Sequence, residues 1–209
     1  MFEKLLKKVR IQINKLFRKA INRHQRKLIK NNDLTLISSN CTGCLMLHDL
    51  GLRYNSPFVN MFINADDYIK LLKRFSEYMQ QSLQCIENTD SEYPLVALGD
   101  ITLHCVHYKS FEEVVEKWNS RKQRMNLENC FVIFTDRDGC TYEHLKTFDE
   151  LPFKNKIVFT HKEYKDISSS FYIHGFEEQD AVGALQAYKG WNGVRIYDEF
   201  DYITWFNEN

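Results

Sequence analysis

Two short polar turns hold most of the reactive side chains in this sequence. The first, Ser38-Ser39-Asn40-Cys41-Thr42-Gly43-Cys44, follows the apolar run Leu34–Ile37 and leads into a short apolar stretch that Gly51 ends. A strand opening through a Ser/Asn/Gly turn into a helix presents backbone N–H groups to a ligand. A thiol placed there is a candidate nucleophile, because those groups stabilise thiolate and only thiolate attacks. Asn40 and the N–H groups of Thr42 and Gly43 would stabilise an oxyanion. His107 or His161 would supply the base. The plainer reading makes Cys41 a small residue fitted to a tight turn. Cys41 and Cys44 also form C-x-x-C. As a zinc site it needs two more ligands, for which His48, His104 and His107 are available. As a redox pair it is unaccompanied by the other features of a thioredoxin-like chain.

The second turn, Thr135-Asp136-Arg137-Asp138-Gly139, closes the apolar run Cys130–Phe134. Asp136 and Asp138 have the spacing of the glycosyltransferase Asp-x-Asp, in which carboxylates hold a divalent cation on a nucleotide-sugar diphosphate. Asp138-Gly139 equally suits a plain charged turn. A third apolar run, Lys156–Phe159, ends in Thr160-His161-Lys162. Trp118, Arg121 and Arg124 recur at helical spacing, which suits phosphate or carboxylate recognition, or else a solvated helix face. Lys109, Arg137 and Lys162 add positive charge near strand ends, which favours an anionic donor. Tyr54, Phe58, Tyr108, Tyr142 and Tyr172 read as core rather than as sugar platforms.

These turns need elements to position them. Apolar runs at 34–37, 95–98, 101–106, 130–134, 156–159, 171–173 and 194–197 read as strands, with Gly99-Asp100 joining the second and third as a hairpin. Helices are expected at 44–50, 65–86, 111–125, 141–146, 177–188 and 198–206, and 88–91 as loop. Ser110 and Glu113 have capping-box spacing. Strands alternating with helices predict a single α/β domain over 34–209, with a mixed, mostly parallel sheet flanked by helices. If the strands entering the polar turns are parallel, their carboxyl ends line one edge, where open α/β sheets bind ligands. Asn40, Asn55, Asp136 and His161 are then expected around one cleft.

Residues 2–29 read as one basic amphipathic helix. Phe2, Leu5, Leu6, Val9, Ile13, Leu16, Phe17, Ala20 and Ile21 form its apolar stripe. Residues 1–33 contain eleven of the 28 Lys and Arg but two of the 28 Asp and Glu, although the net charge is zero. Such a helix predicts an arm on an anionic membrane surface, or a docking arm on the domain or a partner. No nucleic-acid module accompanies the charge, so no nucleic-acid partner is expected. No run is apolar enough to span a bilayer and no signal peptide is evident, which places the domain in the cytoplasm. The six cysteines are then thiols, with Cys85, Cys105 and Cys130 expected as inert packing residues.

The chain resembles a group of bacterial exopolysaccharide biosynthesis proteins encoded among capsule genes. Their first turn reads Ser-Asn-Asn-Cys-Trp-Gly-Gly, of which Asn40, Cys41 and Gly43 match here while Ser39, Thr42 and Cys44 depart. Tyr54-Asn55-Ser56-Pro57-Phe58 matches throughout, as do His107-Tyr108-Lys109-Ser110-Phe111, the spacing of Trp118, Arg121 and Arg124, Thr135 to Gly139, and Phe159-Thr160-His161-Lys162. The resemblance covers about residues 34–209. It implies a membrane-associated transferase in surface polysaccharide biosynthesis, with a glycan or lipid-linked glycan as acceptor and an activated acyl or nucleotide-sugar donor. Cys41, His107 and Asp136 are the expected catalytic residues. Asn40, Gly43, Asn55, Ser56, Tyr108, Lys109, Arg121, Arg124, Arg137, Asp138, His161 and Lys162 are the expected binding residues. The alternatives are a metal-dependent glycosyltransferase built on Asp136 and Asp138, and a non-catalytic glycan-binding assembly subunit. No cofactor is named by the sequence.

Overall fold

A computed structural model describes residues 2–87 and 90–208, with side chains from Leu5 onward. Asn88 and Thr89 of the expected loop lie outside the described residues, as do the side chains of Phe2, Glu3 and Lys4. The elements run in order: α1 (Phe2–Leu28), β1 (Thr35–Ser38), α2 (Cys41–Leu50), α3 (Ala65–Lys73), α4 (Phe75–Tyr78), β2 (Leu83–Cys85), β3 (Leu95–Leu98), β4 (Ile101–His104) and α5 (Phe111–Lys122). Then come β5 (Cys130–Thr135), α6 (Tyr142–Glu150), β6 (Asn155–Thr160), β7 (Ser170–Tyr172), a 3-10 turn at Ile196–Glu199 and α7 (Tyr202–Asn207).

β1, β5, β6 and β7 form one sheet in that order, every pair parallel. β5 and the last four residues of β6 are mostly apolar and buried because both faces are covered there, and β1 is buried throughout although it includes Thr35 and Ser38. Alternation then divides each strand between two cores. Ile37, Val132, Phe134 and Val158 pack with α3, α5 and α6 through Tyr68, Trp118, Leu145 and Phe148. Leu36, Phe131, Ile133, Ile157 and Phe159 pack with α2 and α7 through Met46, Leu47, Tyr202 and Phe206. The fold is therefore the expected single α/β domain. Its antiparallel part is a separate sheet, β2-β3-β4, which joins the first core through Val96, Leu98 and Leu103.

Three expected elements change. The helix over 65–86 breaks at Arg74, whose backbone leaves the helical region (φ −125°, ψ 37°). Leu83–Cys85 instead pairs with β3, and Cys85, expected to pack, is exposed on that edge. Residues 177–188 form turns, not a helix. Gly183 costs a helix about 1 kcal/mol, and the segment gives its backbone groups to distant partners. Val182 N–H donates to Asp136, and the carbonyls of Leu185 and Ala187 accept from Tyr197 and Ile196. The strand expected at 194–197 shrinks to one bridge, Tyr188 with Arg195, before the 3-10 turn.

α1 docks on the domain through its polar face. Asn14 and Arg18 are its two buried residues among those described. Arg18 Nε donates to Asp49 at 2.8 Å and Nη1 to Asp198 at 2.5 Å. Asn22 bonds the other oxygen of Asp49, and Arg26 the Asp49 carbonyl. Asn14 is clasped by the 190–193 turn, donating to the Gly190 carbonyl at 2.9 Å and accepting from Gly193 N–H at 2.8 Å. Gly193 has φ +78°, and a Cβ there would lie 2.5 Å from the Arg18 nitrogen. Helix and turn touch backbone to backbone, so only glycine fits. Leu5, Leu6, Val9 and Leu16 are exposed, and Phe17, also exposed, keeps its Cβ beside Gly193 at the edge of the docked face.

Candidate functional site

Because the four parallel strands point the same way, the tails of β1, β5 and β6 emerge at one edge of the sheet. The chain turns sharply after β1. Asn40 is extended (φ −154°) and caps α2, its side chain accepting Thr42 N–H. Its amide also donates to Thr135 Oγ1 at 2.8 Å, which ties the β1 tail to the end of β5. α2 thus starts at Cys41, three residues earlier than the apolar run alone indicates, and ends at Gly51 (φ +71°). Asp138 adopts φ +57°, a left-handed conformation that Asp tolerates better than most residues, and its carbonyl accepts Ala65 N–H.

A cleft of about 240 Å³ opens beside these turns, lined by Asn40, Cys41, Thr42, Phe62, Val106, His107, Arg137, Asp138 and Gln186. Five of the expected site residues meet there: Asn40, Cys41, His107, Arg137 and Asp138. Arg137 is fixed by donation to the Gly183 carbonyl at 3.1 Å. Burial raises the Asp138 carboxyl above its ordinary range, against the opposing pull of Arg137 and His104. Phe62, which bridges to His104 and stacks on its ring at 4.1 Å, was not singled out by sequence. Neither was Gln186, which sits in the segment expected as helix. No local signal marks either residue; tertiary pairing alone brings them to the cleft.

Cys41 differs from expectation. Its thiol pKa is raised, first by a hydrogen bond with Cys44 and then by burial. The Cys44 thiol is lowered, because its hydrogen bond with Cys41, contact with Asn60 and the charge of Arg121 outweigh burial. The helix N-terminus therefore does not leave Cys41 as the free thiolate. The expected oxyanion donors are also engaged: Thr42 N–H by Asn40 and Gly43 N–H by Ser38 Oγ at 3.4 Å. Gly43 instead allows close packing, since a Cβ there would lie 2.8 Å from Ser38 Cβ.

The other expected residues do structural work around the cleft or away from it. Asp136 accepts His161 N–H at 2.7 Å and meets its ring Nδ1 at 2.5 Å through one oxygen, while the other accepts Val182 N–H at 2.8 Å. It ties the β6 tail to the 176–188 segment and offers no free carboxylate oxygen to a cation. Asn55 donates to the Leu34 carbonyl at the opposite end of β1, so it does not join the cleft. Ser56 accepts Phe58 N–H within its own turn. Tyr108 is buried, donates to the Val59 carbonyl and accepts from Arg121 at 2.6 Å. Arg121 also lies over the Tyr54 ring, and Arg124 holds the Tyr54 and Ser120 carbonyls. Lys109 and Lys162 are exposed, Lys162 over the Tyr164 ring. Ser110 caps α5 as expected, but Glu113 reaches the N–H of Lys109 rather than that of Ser110. His48, a possible zinc ligand, lies in the last turn of α2 beside Asp49, away from the Cys41 end. Among the described residues no three His, Cys, Asp or Glu side chains gather as metal ligands.

A family model described as a domain of unknown function (DUF1919) matches residues 12–207. An uncharacterized protein of Haemophilus influenzae is 44% identical over 200 residues, which covers 96% of this chain and 97% of that protein.

Proposed function

The chain belongs to the DUF1919 family, and from its cleft we propose a membrane-associated transferase that passes an acyl group to a surface glycan or its lipid-linked precursor. The observation carrying this reading is that Cys41 and His107 line the same cleft at the carboxyl edge of the parallel sheet. Cys41 Sγ attacks the donor carbonyl while His107 takes the thiol proton and passes it to the leaving group. An acceptor hydroxyl then attacks the thioester, giving its proton back to the thiol by way of His107. Arg137 binds the anionic part of the donor, and Asp138 and Gln186 orient the acceptor. The raised pKa of Cys41 makes the base necessary: without His107 the thiol stays protonated. The metal-dependent glycosyltransferase reading is weaker, because Asp136 spends both oxygens on His161 and Val182.

α1 supports the membrane placement. Its docked face is polar, and Leu5, Leu6, Val9 and Leu16 are left exposed among Lys8, Lys15, Lys19 and Arg23. Such a surface suits the headgroup region of an anionic bilayer, where each Lys or Arg contributes about 1 kcal/mol. Among the described residues no helix is long and apolar enough to cross a membrane.

The donor is tested by thermal shift with acyl-CoA and nucleotide-sugar panels. A donor at 100 times its Kd stabilises the fold by about 2.7 kcal/mol. A shift with acyl-CoA that is lost in Arg137→Ala supports the reading, whereas a shift confined to nucleotide sugars with a divalent cation overturns it. Membrane placement is tested by vesicle co-sedimentation of the full chain. Val9→Glu with Leu16→Glu should release it from anionic vesicles with Tm unchanged, and equal sedimentation of both proteins would refute the placement.

A further inference from the structure

We propose that Cys41 and Cys44 are a redox-active dithiol, which closes to an intramolecular disulfide by exchange with a low-molecular-weight disulfide such as glutathione disulfide. The two residues occupy the first turn of α2, three positions apart. Helix geometry puts their Cα atoms about 5 Å apart, inside the roughly 4.4–6.8 Å that a disulfide spans. Both sulfurs face the same stretch of chain: Cys41 Sγ lies 3.9 Å from the Met61 carbonyl, and Cys44 Sγ lies 3.8 Å from Asn60 Oδ1. Cys44 Sγ also lies 3.1 Å from the Cys41 carbonyl, and the two thiol pKa values are displaced in opposite directions, each chiefly by the other. The remaining cysteines offer no such pairing. Cys105, Cys130 and Cys140 are pushed up to about 12, in each case by burial first, and Cys85 stands on the exposed β2 edge.

Access divides the labour. Cys41 lines the cleft and is half-buried, whereas Cys44 is buried behind it beside Arg121. Cys41, giving up its proton to solvent or His107, attacks one sulfur of the external disulfide. A mixed disulfide forms and one external thiol leaves. The Cys44 thiolate then attacks Cys41 Sγ, forming the internal S–S bond and releasing the second external thiol. The protein loses two electrons and two protons, and the external disulfide is reduced to two thiols. Oxidation removes the Cys41 thiol from the cleft; that this would switch off acyl transfer rests on the function proposed above, whereas the disulfide itself does not.

The experiment follows the thiols and not activity. The full chain is equilibrated with glutathione disulfide, free thiols are alkylated under denaturing conditions, and the tryptic peptide 31–53, which contains both residues, is weighed. The expected result is a peptide two hydrogens lighter and unalkylated, reverting on reduction. Cys44→Ser should trap one glutathionyl group on Cys41, and Cys41→Ser should leave Cys44 free. A peptide still alkylated twice at equilibrium would overturn the proposal, as would a glutathionyl group resting stably on wild-type Cys41. Circular dichroism of each variant confirms that it is folded, so a negative result counts.

Discussion

Removing the guanidinium of Arg18 tests how α1 is held. Arg18 joins Asp49 and Asp198, and it also reaches the hydroxyls of Tyr197 and Tyr202. Burial alone would raise the Asp49 carboxyl, but Tyr197, Arg18, Arg195 and Asn22 together hold it below its ordinary value. Breaking a buried pair by removing one partner costs about 3–5 kcal/mol, because the other charge stays buried. Tyr197, Arg195 and Asn22 still bond Asp49 in Arg18→Ala, so the lower end, about 3 kcal/mol, is expected. For a chain of this size that is a fall in Tm of about 6–12 °C. Urea titration at pH 7 should show the same loss. The pH dependence follows from the sign of the shift. A carboxyl whose folded pKa is depressed contributes stability above its unfolded value of about 3.9 and loses it as pH falls through the folded value. In the variant burial counts for more, so Asp49 takes up a proton at higher pH. The gap between the proteins should therefore be widest near pH 7 and narrow toward pH 4. A Tm fall under about 2 °C, or a gap independent of pH, would refute the argument. It would mean that α1 is a loosely attached arm. By the same reasoning, deleting residues 1–33 should destabilise the domain rather than liberate it.

Gly193→Ala should cost at least 2 kcal/mol, since overpacking is worth about 1–3 kcal/mol and the positive φ adds strain; chemical denaturation measures it, and a neutral result would deny the backbone contact with α1. Asp136→Asn keeps the shape but turns an acceptor toward donors, leaving a mismatch worth about 1–3 kcal/mol; hydrogen exchange at Val182 and His161 should quicken, and unchanged protection there would refute the clamp. Asp138→Asn should hold or raise Tm at pH 7, because it removes a half-buried charge while Asn tolerates positive φ. Asp138→Ala should lower Tm through backbone strain, and matching Tm values for the two variants would show that the turn is not strained.

The sequence by itself determined the parallel sheet and the edge at which its polar turns gather. Leu34–Ile37, Cys130–Phe134 and Lys156–Phe159 are short, mostly apolar and followed by polar turns, a pattern that follows from strands buried on both faces. The stop at Gly51 and the cap at Ser110 act locally, and α1 was legible because its period is sustained over 27 residues. What failed needed distant partners. Leu83–Cys85 follows a helical period until the open edge of β3 takes it, and 177–188 has helical composition until Asp136, Tyr197 and Ile196 claim its backbone groups. Asn55 sits in a polar turn like Asn40, yet only the fold decides that it bonds at the other end of β1. The direction in which α1 faces was likewise hidden. The helical period separates its apolar and polar sides, but burial of the polar side depends on Asp49 and Asp198, which folding brings 31 and 180 residues along the chain to meet Arg18.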